Sequence, residues 1–219
     1  MSRPIAVLRP EPGNRVTAAA IEAAGRVAIR LPLFAAAPMA WVAPDPHDFD
    51  ALILTSANAV RHGGAGLHRL IGLPVHAVGN VTGEAARRFG FDVVTIGDSG
   101  AADLLQRAEA AGVRRALHLA GRERTIAPEQ IVAQAITVYA SEPLPIAPEA
   151  AARLTGSVAL VQSARAAQRL GEIARDRGIA LVAVSEGVAE AAGSGWERIM
   201  VPTTPSTEAM IDMALALAD

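Results

Sequence analysis

Hydroxyls and an amide gather directly behind an apolar run at 51–61 (ALILTSANAVR), and that grouping is where this chain could do chemistry. Ala51, Leu52, Ile53 and Leu54 fit a short strand buried on both faces. Thr55, Ser56 and Asn58 then stand at its carboxyl end, where Ser or Asn caps a following helix. In an open parallel sheet, strand ends and helix N-termini together form a crevice rich in free N–H groups, suited to holding anions. The same arrangement returns 107 positions later at 158–168 (VALVQSARAAQ), with Ser163 in the place of Ser56.

Other chemistries lack their residues. There is no GxGxxG behind the first strand, no GxxxxGK[ST] and no GxSxG, which disfavours a nucleotide-binding enzyme and a serine hydrolase. Cysteine is absent, so disulfides, thiolate zinc sites and a Cys nucleophile are excluded. The five histidines (His47, His62, His68, His76, His118) show no metal-ligand spacing, and no metal site is assigned.

The elements that must position these residues alternate strand, Gly-rich turn and helix. A strand at 5–8 precedes a stiff Pro-rich loop and a helix over 15–24 with Asn14 as cap. A second strand covers 26–34, and Pro32 makes it an edge or sends it out of the sheet midway. Residues 35–48 read as a connector. After the opening strand comes a helical stretch loosened by Gly63, Gly64 and Gly66, then strands at 75–78 and 92–96 around a helix at 84–89. An amphipathic helix spans 101–111, with Leu104, Leu105 and Ala108 on one face. A strand at 115–119, a loop over 120–125, a helix near 128–134 and a strand at 135–139 lead to a second Pro-rich run. Beyond it lie a helix at 148–155, the repeated strand at 158–161 and a helix over 164–178. Strands at 180–184 and 198–201 flank a short helix at 188–192, and a helix covers 207–218. Such alternation predicts parallel α/β layers.

The chain also matches itself. Thr82 in VGNVTGEAA falls opposite Val188 in VSEGVAEAA at an offset of 106, and Leu104-Leu105 falls opposite Met210-Ile211 at the same offset. Any parallel α/β chain is self-similar to a degree, but the offset shared by separate landmarks favours a true duplication of two large units, 51–111 and 158–218, with two smaller strand–helix–strand pieces, 5–34 and 115–144, before and between them.

Bulk properties narrow the partners. Net charge is −2 with no long run of one sign, so nothing marks a nucleic-acid or anionic-membrane surface. Aromatics make up 3 % of the chain, too few for base-stacking platforms. No signal-peptide pattern opens the sequence, and no stretch reaches the roughly 18 apolar residues of a membrane span. A cytoplasmic protein is expected, and the absence of long apolar heptads predicts a monomer.

Seven segments in order resemble the uroporphyrinogen-III synthase family: VLRPEPG at 7–13, LPLF at 31–34, ALILTSANAV at 51–60, LPVHAVGNVTGEAARRFGFDVV at 73–94, LHLAGR at 117–122, VYASEP at 138–143 and PTTPSTEAM at 202–210. The resemblance implies an α/β fold of two lobes, each a parallel sheet flanked by helices, joined by a two-stranded linker. Residues 1–35 plus 143–219 would form lobe 1 and 38–138 lobe 2, with crossings near 29–37 and 136–144. It implies a lyase that needs no cofactor and cyclises hydroxymethylbilane, a linear tetrapyrrole, inverting the last pyrrole ring and releasing water. A cleft between the lobes would hold this substrate. Thr55, Ser56, Asn58, Gly79, Thr82, Gly121, Arg122, Tyr139 and Ser163 are carried over as its lining.

This chemistry suits the residues present. The substrate's eight carboxylates can rest on strand-end N–H groups, helix N-termini and hydroxyls. Loss of its terminal hydroxyl leaves a reactive azafulvene, so the protein's main task is to hold one folded geometry while the substituted carbon is attacked. Tyr139, the only tyrosine, is the first candidate to protonate or hydrogen-bond the departing hydroxyl; packing its ring at a lobe junction is the alternative role. Thr82 could bind a carboxylate or simply cap a helix, and Ser56 and Ser163 could do no more than cap theirs. Arg9 and Arg122 could pair with substrate carboxylates or remain solvated. The sequence departs from the family where a Gly and a Thr would stand, at Ser185 and Val188. Since Val188 cannot donate a hydrogen bond, a non-enzymatic two-lobed binder of a small anion is the alternative reading.

Overall fold

The structure, a computed structural model, describes residues 2–98, 100–123 and 131–219. In chain order the elements are β1 (Ile5–Val7), α1 (Gly13–Ala23), β2 (Ala28–Arg30), β3 (Phe34–Pro38), β4 (Ala51–Leu54), α2 (Ala57–His62), β5 (Val75–Val78), α3 (Asn80–Phe89), β6 (Val93–Gly97) and α4 (Ala101–Ala110). There follow β7 (Ala116–Gly121), β8 (Val132–Pro143), α5 (Pro148–Ala152), β9 (Val158–Val161), α6 (Ala164–Ala174), β10 (Ala180–Ala183), α7 (Glu186–Ala192), β11 (Arg198–Met200) and α8 (Thr207–Ala218). Short 3-10 turns lie at Pro46–Asp48 and Gly64–Leu70.

Two compact units result: residues 1–35 with 143–219 (unit 1), and residues 36–142 (unit 2). The five-stranded sheet of unit 1 has the order β11-β10-β9-β1-β2, and the other sheet β3-β8-β7-β4-β5-β6. Apart from β3, every described pairing is parallel. β3 and β8 carry the two chain crossings. Backbone bonds from Leu144 N to Leu33 O (2.9 Å) and from Met39 N to Val138 O (3.0 Å) make the pair antiparallel.

Burial on both faces explains the unbroken apolar runs. Along β4, Leu52 and Leu54 enter one core with Leu117, Leu119 and Val138, while Ala51 and Ile53 enter another with Leu104 and Ala108. β9 divides in the same way, Ala159 and Val161 against α6, Val158 and Leu160 against α8. The duplication is visible as matched segments: β4-α2-β5-α3-β6-α4 is repeated by β9-α6-β10-α7-β11-α8.

Several local expectations need correction. Asn14 is not a cap: it is the second residue of α1 and fully buried. Its Nδ2 donates to the carbonyls of Val7 (2.7 Å) and Arg9 (3.1 Å), and its Oδ1 accepts from Arg30 Nε (3.1 Å), so it ties the end of β1 to the helix. The second strand stops at Arg30, because Pro32 cannot donate to the ladder, and pairing resumes in β3 within the other sheet. Helix α3 begins at Asn80, four residues before the expected start, and α6 stops at Ala174 rather than reaching 178. Of the helix expected near 128–134, residues 128–130 fall outside the described residues, and Val132–Gln134 belong to β8. Arg124 and Thr125 of the expected loop are likewise outside them.

Candidate active site

Strand order alone marks a crevice in each unit. Unit 1 runs β2-β1-β9-β10-β11, and unit 2 runs β8-β7-β4-β5-β6 behind the extra edge strand β3. Both are doubly wound sheets whose connections diverge at one point, between β1 and β9 or between β7 and β4. Ligands bind open α/β sheets outside the carboxyl ends of the strands at that point. In unit 2 these ends deliver Thr55 and Ser56 after β4, Gly79 after β5, and Gly121 and Arg122 at the end of β7.

Tyr139 joins them through β8. The ladder between β7 and β8 shifts register between Ala120 and Gly121, which sets Tyr139 opposite Gly121. The ring lies directly on this glycine. A Cβ there would meet Tyr139 Cζ at 2.8 Å, Oη at 2.9 Å and Cε2 at 3.0 Å, so the close approach requires glycine. The hydroxyl makes no hydrogen bond to another described residue. His62, the last residue of α2, stands near the same ring, its centroid 6.2 Å from that of Tyr139. Partial burial, with a smaller effect from the charge of Arg61, holds its imidazole below the usual histidine range, so it is neutral at pH 7. Tyr139 thus lies close to the His62 ring.

Thr55 Oγ1 lies 3.2 Å from His118 Nε2, and His118 is fully buried in β7. Gly79 takes φ 76°, a conformation open to glycine, and leads into α3, which has no side-chain cap. Thr82 sits in the first turn of that helix, 5 % exposed, with its N–H on Gly79 O at 3.1 Å. An uncapped N-terminus beside a hydroxyl favours negative charge. Three other candidates are already engaged. Ser56 Oγ caps α2 through Asn58 N (3.2 Å), Asn58 Oδ1 accepts from Arg61 (3.2 Å), and Arg122 pairs with Glu142 at 2.9 Å.

Arg9 and Ser163 belong to unit 1. Ser163 Oγ caps α6 through Ala166 N at 3.2 Å. Arg9 follows β1; its guanidinium lies over Gly13 and hydrogen-bonds two hydroxyls, Thr207 Oγ1 at 3.3 Å and Thr17 Oγ1 at 3.5 Å, with no carboxylate partner among the described residues. Gln162 reaches the same Thr207 hydroxyl at 3.3 Å. Val188 packs into the core of this unit.

Sequence reasoning missed His62, His118 and Gln162. Gln162 had a signal, since it directly precedes Ser163 at the end of the repeated strand. The two histidines enter only through pairing across strands and helix packing. Among the described residues no group of three or more His, Asp and Glu could hold a metal ion, and no helix is long and apolar enough to cross a membrane.

Fold and site together define a two-unit, doubly wound α/β protein with hydroxyls and an uncapped helix N-terminus at its strand ends. The family model described as uroporphyrinogen-III synthase HemD matches residues 15–212, and the chain belongs to that family. Among solved structures, uroporphyrinogen-III synthetase from Helicobacter pylori 26695 is 18 % identical with a TM-score of 0.68, covering 98 % of this chain and 99 % of its own. A mutant uroporphyrinogen III synthase from the extremely thermophilic bacterium Thermus thermophilus is 16 % identical with a TM-score of 0.53, covering 99 % of both chains. At these identities the likeness is one of fold. No curated protein sequence matches the chain.

Proposed function

We propose that this protein converts hydroxymethylbilane to uroporphyrinogen III, with Tyr139 and Thr82 at the centre of the reaction. The observation that carries the reading is the seating of the Tyr139 ring on Gly121, at the switch point of unit 2, within a chain of the synthase family. Substrate carboxylates rest on the open first turn of α3 with Thr82, on the strand-end groups at Thr55, Ser56, Asn58, Gly79 and Gly121, and on Arg122. Arg9 and Ser163 offer the matching groups in unit 1.

Tyr139 hydrogen-bonds the terminal hydroxyl and gives its proton as the C–O bond breaks. The pyrrole nitrogen supplies the electron pair, and water leaves. The resulting azafulvenium is attacked by the substituted carbon of the last ring; the old methylene bond to that carbon then breaks, the freed methylene re-bonds at the ring's unsubstituted α-carbon, and the proton displaced there returns to the Tyr139 phenolate. Binding energy serves mainly to hold the substituted carbon in reach, because the unguided chain closes at the other position. The protein works in the cytoplasm as a monomer.

A coupled assay tests the reading: hydroxymethylbilane is made in situ, the protein is added, and the products are oxidised and separated into isomers I and III. Predominant isomer III is expected. Isomer I alone, from folded protein, would overturn the reading in favour of an anion binder.

A further inference from the structure

A groove of about 710 Å³ runs between α2 with its following 3-10 turns and α3, wholly within unit 2. Val60, Ala85 and Phe89 give it an apolar floor, while Arg61 and Arg88 stand at its rim. At one end it takes in Asn80, the first residue of α3 and the neighbour of Gly79, so it adjoins the strand-end crevice.

The rim charge is not spent internally. Arg61 hydrogen-bonds only Asn58 on its own helix and pairs with no carboxylate among the described residues. Glu84 is shared between Arg87 (3.4 Å) and Arg88 (3.9 Å), which leaves the rim positive. Phe89 lies 4.9 Å from the His68 ring and 5.4 Å from Phe91, so a fixed aromatic surface lines the groove.

Unit 1 supplies an internal comparison. By the offsets of the duplication, Arg175 stands in the place of His68, and Ser194 and Gly195 in those of Arg88 and Phe89. There α6 runs on to Ala174, where α2 is cut short before Gly63 and Gly64. Arg175 fills the corresponding space. A Cβ on Gly171 would meet its Nη2 at 2.5 Å, and one on Gly195 its Cγ at 2.7 Å. Its guanidinium donates to Ser194 O and lies 5.9 Å from the Trp196 ring. One copy closes the groove with its own cation; the other leaves it open, with cations at the rim and a ring at the base. Apolar rings bearing carboxylates are the ligands that fit such a groove.

Resting on the synthase reading, we propose that the groove seats one carboxylate-bearing pyrrole ring of the linear tetrapyrrole, the ring against Phe89 and its carboxylates on Arg61 and Arg88. This contact lies away from the bond changes and holds ground and transition states alike, so it sets KM rather than kcat.

The test is the double variant Arg61→Ala/Arg88→Ala, whose side chains are exposed and whose partners lie on their own helices. KM for hydroxymethylbilane is expected to rise about tenfold, with kcat within roughly threefold and isomer III still formed. Arg107→Ala/Arg153→Ala, matched in charge but outside the groove, should keep the wild-type KM. Quenching of protein fluorescence by uroporphyrin III, the oxidised product, reads the groove without turnover. Its affinity should weaken about tenfold in the groove variant. Unchanged KM and porphyrin affinity there, or an equal loss in the control, would overturn the groove assignment. Wild-type protein yielding only isomer I would instead sink the synthase reading, and the porphyrin titration would still decide the groove.

Discussion

Replacing Gly121 by alanine tests the central contact of the site most directly. The new methyl carbon would fall 2.8 Å from Tyr139 Cζ and within 3.0 Å of Oη and Cε2, well inside van der Waals distance. Gly121 is itself buried at the end of β7, so backbone retreat is blocked and the ring must move. Overpacking of this kind costs about 1–3 kcal/mol. If the cost comes from the ring, it should shrink to roughly 0.5 kcal/mol or less in a Tyr139→Ala background, where the methyl has room. The cycle should therefore show a coupling of about 0.5–3 kcal/mol. Fluorescence can isolate the relevant unit: Trp41 belongs to unit 2 and Trp196 to unit 1, so a Trp196→Phe background leaves Trp41 as reporter. Urea unfolding of the four variants supplies the free energies. An equal cost of Gly121→Ala with and without the Tyr139 ring would refute the reasoning. The displaced ring should also lower kcat about tenfold or more, since the proton donor leaves its position.

Tyr139→Phe keeps the ring on Gly121 but removes the acid, so kcat should fall at least tenfold, with KM within about threefold; unchanged kinetics would remove Tyr139 from the chemistry. Ser56→Ala deletes a cap and should cost about 1 kcal/mol, or roughly 2–4 °C in Tm, with kcat unaltered. A loss of kcat at constant Tm would show that its hydroxyl takes part in the chemistry rather than in capping and binding. The imidazoles of His62 and His76 are both held below the usual range, chiefly by burial. The folded state then binds fewer protons than the unfolded one. Stability should be level above about pH 6.5 and decline as pH falls from there toward 5. His62→Gln should flatten part of that slope, and a pH-independent difference between variant and parent in urea titrations would contradict the assignment.

The fold was legible where period and punctuation agree. The apolar runs ALIL and VALV, each followed by a serine, read as buried parallel strands with capped helices, and both serines cap as their types suggest. Pro32 marked the place where β2 ends. Asn14 misled because cap propensity is a local preference, and here the pull of two strand-end carbonyls outweighed it. Helix α3 was read short because Gly79 and Gly83 both look like breakers. Gly79 serves as the N-cap, whereas Gly83 is buried inside the helix, where a Cβ would lie 2.6 Å from Ile96 Cδ1. Tyr139 stood out as the only tyrosine, but the ring's resting place depends on a register shift that no local pattern carries. His62 and Arg61 were opaque for a similar reason, since their neighbours lie on β8 and across the groove from α3.

The duplication explains why the proposed chemistry gathers in unit 2. Gly79 and Ser185 occupy matching positions before α3 and α7, and Thr82 and Val188 matching positions in the first turn. In α3 the glycine adopts its positive φ and the threonine brings a hydroxyl to an open helix end. In α7, Ser185 is extended at φ −157°, its side chain makes no cap, and Val188 joins the core with Leu181 and Ala183. Restoring a hydroxyl at Val188 alone would place a polar group against that core without the backbone turn that opens α3. The unit-1 copy has instead put its polar groups at β1 and β9, where Arg9, Gln162 and Thr207 converge without a carboxylate. Such a group of donors suits a carboxylate. Tyr139, the proposed acid, and Thr82, at the open end of α3, both belong to unit 2. Departure from the family pattern at Ser185 and Val188 therefore leaves unit 1 without the hydroxyl and positive-φ glycine found at α3, and leaves the proposed acid in place.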